Sequence, residues 1–97
     1  MIPAKFHPEA QIEMLKAAEY YERQQFDLGK RFLLTVQEKV IHIRLNPFIY
    51  TSFDSNLRKC RLEKFPYGIV FRSSDELIEI IAVVNLKRKP GYWKERT

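Results

Sequence analysis

The sequence predicts an α+β domain: an N-terminal strand, an antiparallel helical hairpin, then a three-stranded antiparallel meander with a basic C-terminal tail, all in one domain over residues 1–97. Three observations carry that expectation. Apolar residues recur at helical spacing in two runs between Pro8 and Leu45. After residue 56 the period drops to that of a strand. The excess positive charge lies wholly beyond that switch.

Each element follows from local chemistry. Ile2 to Phe6 is a short apolar-leaning run that stops at His7-Pro8 and reads as the first strand. Pro8 suits a first helical position, where its missing N–H costs nothing, and Glu9 favours the positive end of the helix dipole. Ala10, Met14, Ala17, Ala18 and Tyr21 then form an apolar stripe that Leu15 widens. Glu13, Lys16, Glu19 and Arg23 fall mostly off it, and the helix is expected to end near Gln24–Phe26. Asp27-Leu28-Gly29 is the break, with Gly29 able to take a left-handed conformation. Phe32, Val36, Val40 and Ile43, with Leu33 and Leu45 beside them, mark a second helix. It stops at Asn46-Pro47, because proline disfavours helical geometry in the residue before it. Helices joined so closely pack antiparallel, and Tyr20, Tyr21 and Phe32 are expected in their shared core.

Residues 47–56 read as a connecting loop with aromatic anchors. In the run Arg58 to Lys64, Cys60 and Leu62 should face the core, with Lys59, Arg61 and Glu63 on the other side. Phe65-Pro66-Tyr67 turns the chain, Gly68 to Arg72 forms the next strand, and Ser73-Ser74-Asp75-Glu76 is a polar hairpin loop. Leu77 to Val84 is apolar except for Glu79, as a central strand covered on at least one face should be.

Composition bounds the function. Hydrophobic residues at 45% and charged residues at 30% are ordinary for one folded core. No apolar run reaches the roughly 20 residues that span a bilayer, and the N-terminus lacks a secretory apolar region. Cys60 is the single cysteine, which rules out an intrachain disulfide and a cysteine-based zinc site. A cytoplasmic protein without cofactor, metal or membrane partner is expected. Residues 1–46 hold seven basic and six acidic residues, residues 47–56 only Asp54, and residues 57–97 ten basic against five acidic. The net charge of +5 therefore belongs to the C-terminal part. Such a surface attracts polyanions, or is a solvated face with no specific partner.

The usual catalytic signatures are missing. Gly29, Gly68 and Gly91 are scattered, so there is no phosphate-cradling loop. His7 and His42 lack companions at ligand spacing and read as helix-end or surface histidines, while Cys60 reads as a buried, inert thiol. What remains is cationic and aromatic. Lys59 and Arg61 point to one side of a strand, Arg58 and Lys64 flank them, and Arg72 ends the neighbouring strand. Lys87, Arg88 and Lys89 follow the last strand, ahead of Tyr92 and Trp93. If the strands are adjacent, these cations converge at one edge or face, where they can hold phosphates or stack a base. Alternatively the aromatics pin the tail to the core, the favoured reading for Trp93.

The order of elements, with Leu28-Gly29-x-x-Phe32, Asn46-Pro47, Phe65-Pro66-Tyr67-x-Ile69-Val70-Phe71-Arg72 and Ala82-Val83-x-x-x-x-Arg88-x-Pro90-Gly91-Tyr92-Trp93, resembles the RelE/ParE toxin superfamily. The likeness runs over about residues 5–96. It implies the toxin half of a bacterial type II toxin–antitoxin module, also called a plasmid stabilization protein, which inhibits growth. A cognate antitoxin neutralises it, and operator DNA is reached only through that antitoxin. The resemblance implies one of two activities. RelE-like members are metal-independent endoribonucleases that cut mRNA on the ribosome; Lys59, Arg61, Lys87, Arg88 and Tyr92 match their catalytic positions, although the spacing from Arg88 to Tyr92 is shorter. ParE-like members poison DNA gyrase. For either activity Arg58, Lys64, Arg72, Lys89 and Trp93 are the further candidates for target or nucleic-acid contact. Gly68 stands where the best-known nuclease type has an arginine, and Asn85 where many chains of the subgroup have a histidine. Asparagine cannot transfer a proton near neutral pH. With the Pro90-Gly91-Tyr92-Trp93 ending, this tilts the resemblance toward the ParE-like branch. A third possibility is a degenerate toxin that acts only as an antitoxin-binding co-repressor.

Overall fold

A computed structural model describes residues 1–54 and 56–97; Ser55, inside the expected connecting loop, lies outside the described residues. The first helix, α1, runs Pro8–Gln24. His7 caps it, its Nδ1 accepting the Glu9 N–H at 3.1 Å, and Pro8 and Glu9 occupy its first turn. The second helix, α2, runs Leu28–Leu45 and ends where Pro47 begins a single 3₁₀ turn. Ala10, Ala17 and Ala18 of α1 face Phe32, Val36 and Ile43 of α2 and the sheet beneath.

The turn between the helices differs from expectation in an instructive way. Asp27, not Gly29, takes the left-handed conformation, with φ of 72°. Glu22 holds the turn: its carboxylate accepts the N–H groups of Asp27 at 2.9 Å and Gly29 at 3.0 Å, satisfying donors that α2 itself leaves open. Gly29 lies inside α2, where a Cβ would stand 2.3 Å from the Ala18 carbonyl oxygen. Its job is close approach of two helix backbones. Tyr20 also departs from expectation. It is 54% exposed, because one residue along a helix rotates about 100° and Tyr21 holds the inward position against Phe32, Phe65 and Tyr67.

Among the described residues five strands follow the order β1-β5-β4-β3-β2: β1 Ala4–Phe6, β2 Ser52–Phe53, β3 Leu57–Arg61, β4 Tyr67–Ser73 and β5 Ile78–Asn85. The expected meander is β3, β4 and β5, all antiparallel. The N-terminal strand joins its far side, β1 pairing with β5 in parallel, from Ala4 opposite Ile78 to Phe6 opposite Ile80. The sheet is therefore mixed. The two-residue β2 is the one strand the loop reading missed, too short to show a period. Of the aromatic anchors in that loop, Tyr50 packs edge-on against Phe71 and Phe53 against Trp93. Phe48 stays 60% exposed.

Each face of the sheet carries its own core. Cys60, Ile69, Phe71, Ile78, Ile80 and Val83 meet the helices. On the opposite face Leu57, Val70, Ile81, Ala82 and Val84 meet the returning tail through Trp93, which is 3% exposed. A register shift beside Val70 and Phe71 sets Ile80 toward the helices and Ile81 and Ala82 toward the tail. This explains the unbroken apolar run: β5 is covered on both faces.

Gly29→Ala tests the helix contact. In an open helix this change stabilises by about 1 kcal/mol. Here urea unfolding should show a loss of about 1–3 kcal/mol, the usual cost of overpacking.

Candidate functional site

The tail-side face of the sheet collects the basic residues. Lys59 and Arg61 project from β3 on this face, because they share its parity with Leu57, whereas Arg58 and Cys60 project toward the helices. Arg61 stands opposite Gly68, and Gly68 opposite Val84. On this face a cleft of about 140 Å³ is lined by Lys59, Arg61, Val84, Asn85, Arg88 and Trp93 among others. The Lys59 ammonium lies 5.5 Å from the Phe53 ring centre, and the Arg88 guanidinium 4.0 Å from that of Tyr92. Arg61 and Arg88 are exposed, and neither forms an ion pair with a carboxylate among the described residues.

Of the residues singled out in the sequence, Lys59, Arg61, Arg88 and Trp93 line this one cleft and Tyr92 adjoins it. The others are elsewhere. Arg58 donates to the Tyr50 carbonyl at 2.7 Å on the helix side and lies over Phe48. Lys64 sits past the end of β3 in a hollow shared with α2. Arg72 shares the tail-side face but is spent on Glu79 at 3.0 Å. Lys87 and Lys89 are exposed on the turn after β5 and do not line the cleft. Glu63, expected beside Lys59, is past the strand end and pairs with Lys39 of α2 at 3.1 Å. Trp93 cannot stack on a target while buried; it is the wall of the cleft and the pin of the tail.

The residue that sequence reading missed is Glu13. Its carboxylate accepts the Val83 N–H at 3.1 Å, the Tyr92 hydroxyl at 2.8 Å, and both terminal nitrogens of Arg96 at 2.8 and 3.1 Å. Both partners of the ion pair are mostly buried, with side chains 17% and 16% exposed. A paired, fork-to-fork carboxylate of this kind is a strong contact. The available signal was weak: Glu13 lies three residues after Ala10 and four before Ala17, both buried, and its neighbours four residues away, Glu9 and Ala17, are not cations. The partner in the tail is 83 residues distant.

The titration of these groups follows from their surroundings. Burial, then the hydrogen bond to Glu13, pushes the Tyr92 hydroxyl well above its ordinary range, with Arg88 and Arg96 opposing. Bonding to Glu13 likewise raises Arg96, and burial raises the Cys60 thiol. His7 is occupied as a helix cap and His42 is exposed on the last turn of α2.

Because the folded Tyr92 keeps its proton longer than the unfolded chain does, its contribution to stability is full below the ordinary value of 10.0 and is lost as pH rises beyond it. Tyr92→Phe should lower stability near neutrality by about 1 kcal/mol. It should also flatten part of the fall in urea midpoint above about pH 9.5. Tyr21 and Tyr50, raised by burial, retain the remaining slope.

Comparison with known proteins agrees with this architecture. A family model described as "ParE toxin of type II toxin-antitoxin system, parDE" matches residues 4–90. No curated protein matches the chain. A solved structure described as the chromosomal ParDE TA system from P. aeruginosa has a TM-score of 0.71 at 16% identity, over 89% of this chain and 97% of that one. The likeness at that identity is one of fold, and the family match spans every strand and both helices. The chain belongs to the ParE toxin family of type II toxin–antitoxin systems.

Proposed function

We propose that this chain is the growth-inhibiting toxin of its module, that it poisons DNA gyrase by binding through the cleft of Lys59, Arg61 and Arg88, and that a cognate antitoxin neutralises it by covering that face. The observation that carries the reading is what the cleft contains: fixed positive charge without a group able to move a proton near neutral pH. Gly68, opposite Arg61 on the neighbouring strand, adds no side chain to it. The Tyr92 hydroxyl is committed to Glu13 and holds its proton far above neutrality. Asn85 has its Oδ1 engaged by the Lys87 N–H at 2.9 Å. Cys60 is buried on the other face. Cations so arranged can steer and grip an anionic surface but cannot run general acid–base chemistry.

A second reading rests on the convergence of Lys59, Arg61 and Arg88 in one cleft, which suits a scissile phosphate. In it the chain is a ribosome-dependent mRNA endoribonuclease, stabilising developing charge with no protein base.

The purified protein should arrest gyrase supercoiling, and induction of the chain alone in a bacterium should accumulate gyrase–DNA cleavage complexes and halt growth. Arg61→Ala and Arg88→Ala should each raise the half-inhibitory concentration about tenfold, the loss of one exposed charge contact at an interface. Unimpaired supercoiling at saturating protein overturns the gyrase reading. New RNA ends on translating ribosomes would establish the second, and harmless induction beside tight antitoxin binding would leave only a co-repressor.

A further inference from the structure

Arg88 is the exposed cation of the cleft that has no rigid element beneath it. It sits on the turn after β5, where its N–H donates to the Asn85 carbonyl at 3.0 Å, and Gly91 reverses the chain three residues later with φ of 93°. A long arginine side chain on such a turn samples many rotamers unless something holds it. What holds it is the Tyr92 ring, 4.0 Å from the guanidinium carbon. That ring is itself fixed at its far end, because the hydroxyl donates to Glu13 Oε2 at 2.8 Å. Glu13 in turn cannot swivel: the Val83 N–H holds Oε1 and the Arg96 guanidinium spans both oxygens. A chain of contacts therefore runs from the middle of α1, through Glu13 and the Tyr92 ring, to the cation at the rim of the cleft.

We propose that Glu13 is a positioning residue for Arg88, acting through Tyr92 to hold the guanidinium at the rim of the cleft in its target-facing position. The assignment rests on the gyrase reading only in that Arg88 is taken to meet the target; the contact chain stands without it. Glu13 itself touches no target. While Arg96 keeps the tail docked, the effect of Glu13 on target binding passes through Arg88, so in that state its loss changes inhibition only while Arg88 is present.

A double-mutant cycle with the full-length chain reads this directly. Glu13→Gln should raise the half-inhibitory concentration against gyrase about tenfold in the wild-type background and leave it unchanged in the Arg88→Ala background. In proton–nitrogen NMR, the Arg88 Nε–H signal, assigned by its disappearance in Arg88→Lys, should lose its displacement by the Tyr92 ring in Glu13→Gln. Trp93, the single tryptophan, should keep its buried emission, showing that the tail is still docked. Equal losses in both backgrounds, or an Arg88 signal that Glu13→Gln does not move, overturn the proposal. Should Glu13→Gln free the tail and shift Trp93 to the red, Tyr92→Phe takes its place in the cycle, since it spares the Glu13–Arg96 pair, and the same two outcomes decide. If wild-type protein leaves gyrase untouched, the functional reading fails, and the Arg88 signal alone settles the positioning role.

Discussion

The architecture turns on an unfinished strand edge. β1 accompanies β5 only to Ile80, where the His7 N–H donates to the Ile80 carbonyl at 2.8 Å. Pro8 then starts α1 and the parallel ladder stops. Beyond that point β1 offers no partner to groups of β5 that include the Ile81 carbonyl and the Val83 N–H. Left unpaired and buried they would each cost about 1–3 kcal/mol. Arg96 donates to the first at 3.2 Å and Glu13 accepts from the second at 3.1 Å. A carboxylate from a helix and a guanidinium from the tail thus complete the ladder, and their own bidentate bond closes the arrangement. Removing either partner leaves a mostly buried charge as well as an open backbone group.

That closure explains why the tail is part of the fold. β5 needs cover on both faces, and the helices supply only one. Once Arg96 docks on Glu13, Trp93 lands on Leu57, Val70, Ile81, Ala82 and Val84, and with Phe53, Leu86 and Tyr92 around it the second core is covered. The 3₁₀ turn Lys94–Arg96 is too short to stand by itself. Its position comes from the side chains on either side of it.

The same geometry sorts the charges. Cations near a carboxylate are consumed locally, as Lys39 is by Glu63 and Arg72 by Glu79. Glu13 already carries Arg96 and Tyr92, and Asp54 pairs with Lys94. Lys59, Arg61 and Arg88 are thereby left with aromatic or solvent neighbours, and a modest net charge becomes a local positive field. Gly68 is buried and lets side chains close over the strand: Leu86 and the Lys59 stem lie 3.3 and 3.5 Å from where its Cβ would be.

Much of this was legible in the sequence, for reasons that are local. Both helices and the meander follow from apolar spacing, proline positions and turn chemistry, each set within a few residues, and the alternation around Cys60 separated Lys59 and Arg61 from the core. Arg58 failed to join them for the same reason: one residue along a strand is the opposite face. Gly29 was read as a turn residue because its role depends on Ala18 of the other helix. Tyr20 was placed inward because the stripe's width is set by the partner surface, which periodicity does not contain. The sequence by itself determined both helices, the strands other than β2, their order, the family and the basic second half. Only tertiary structure decided which cations meet, what Trp93 packs against, and that Glu13 is the keystone, because a contact across 83 residues is a property of packing that no local pattern encodes.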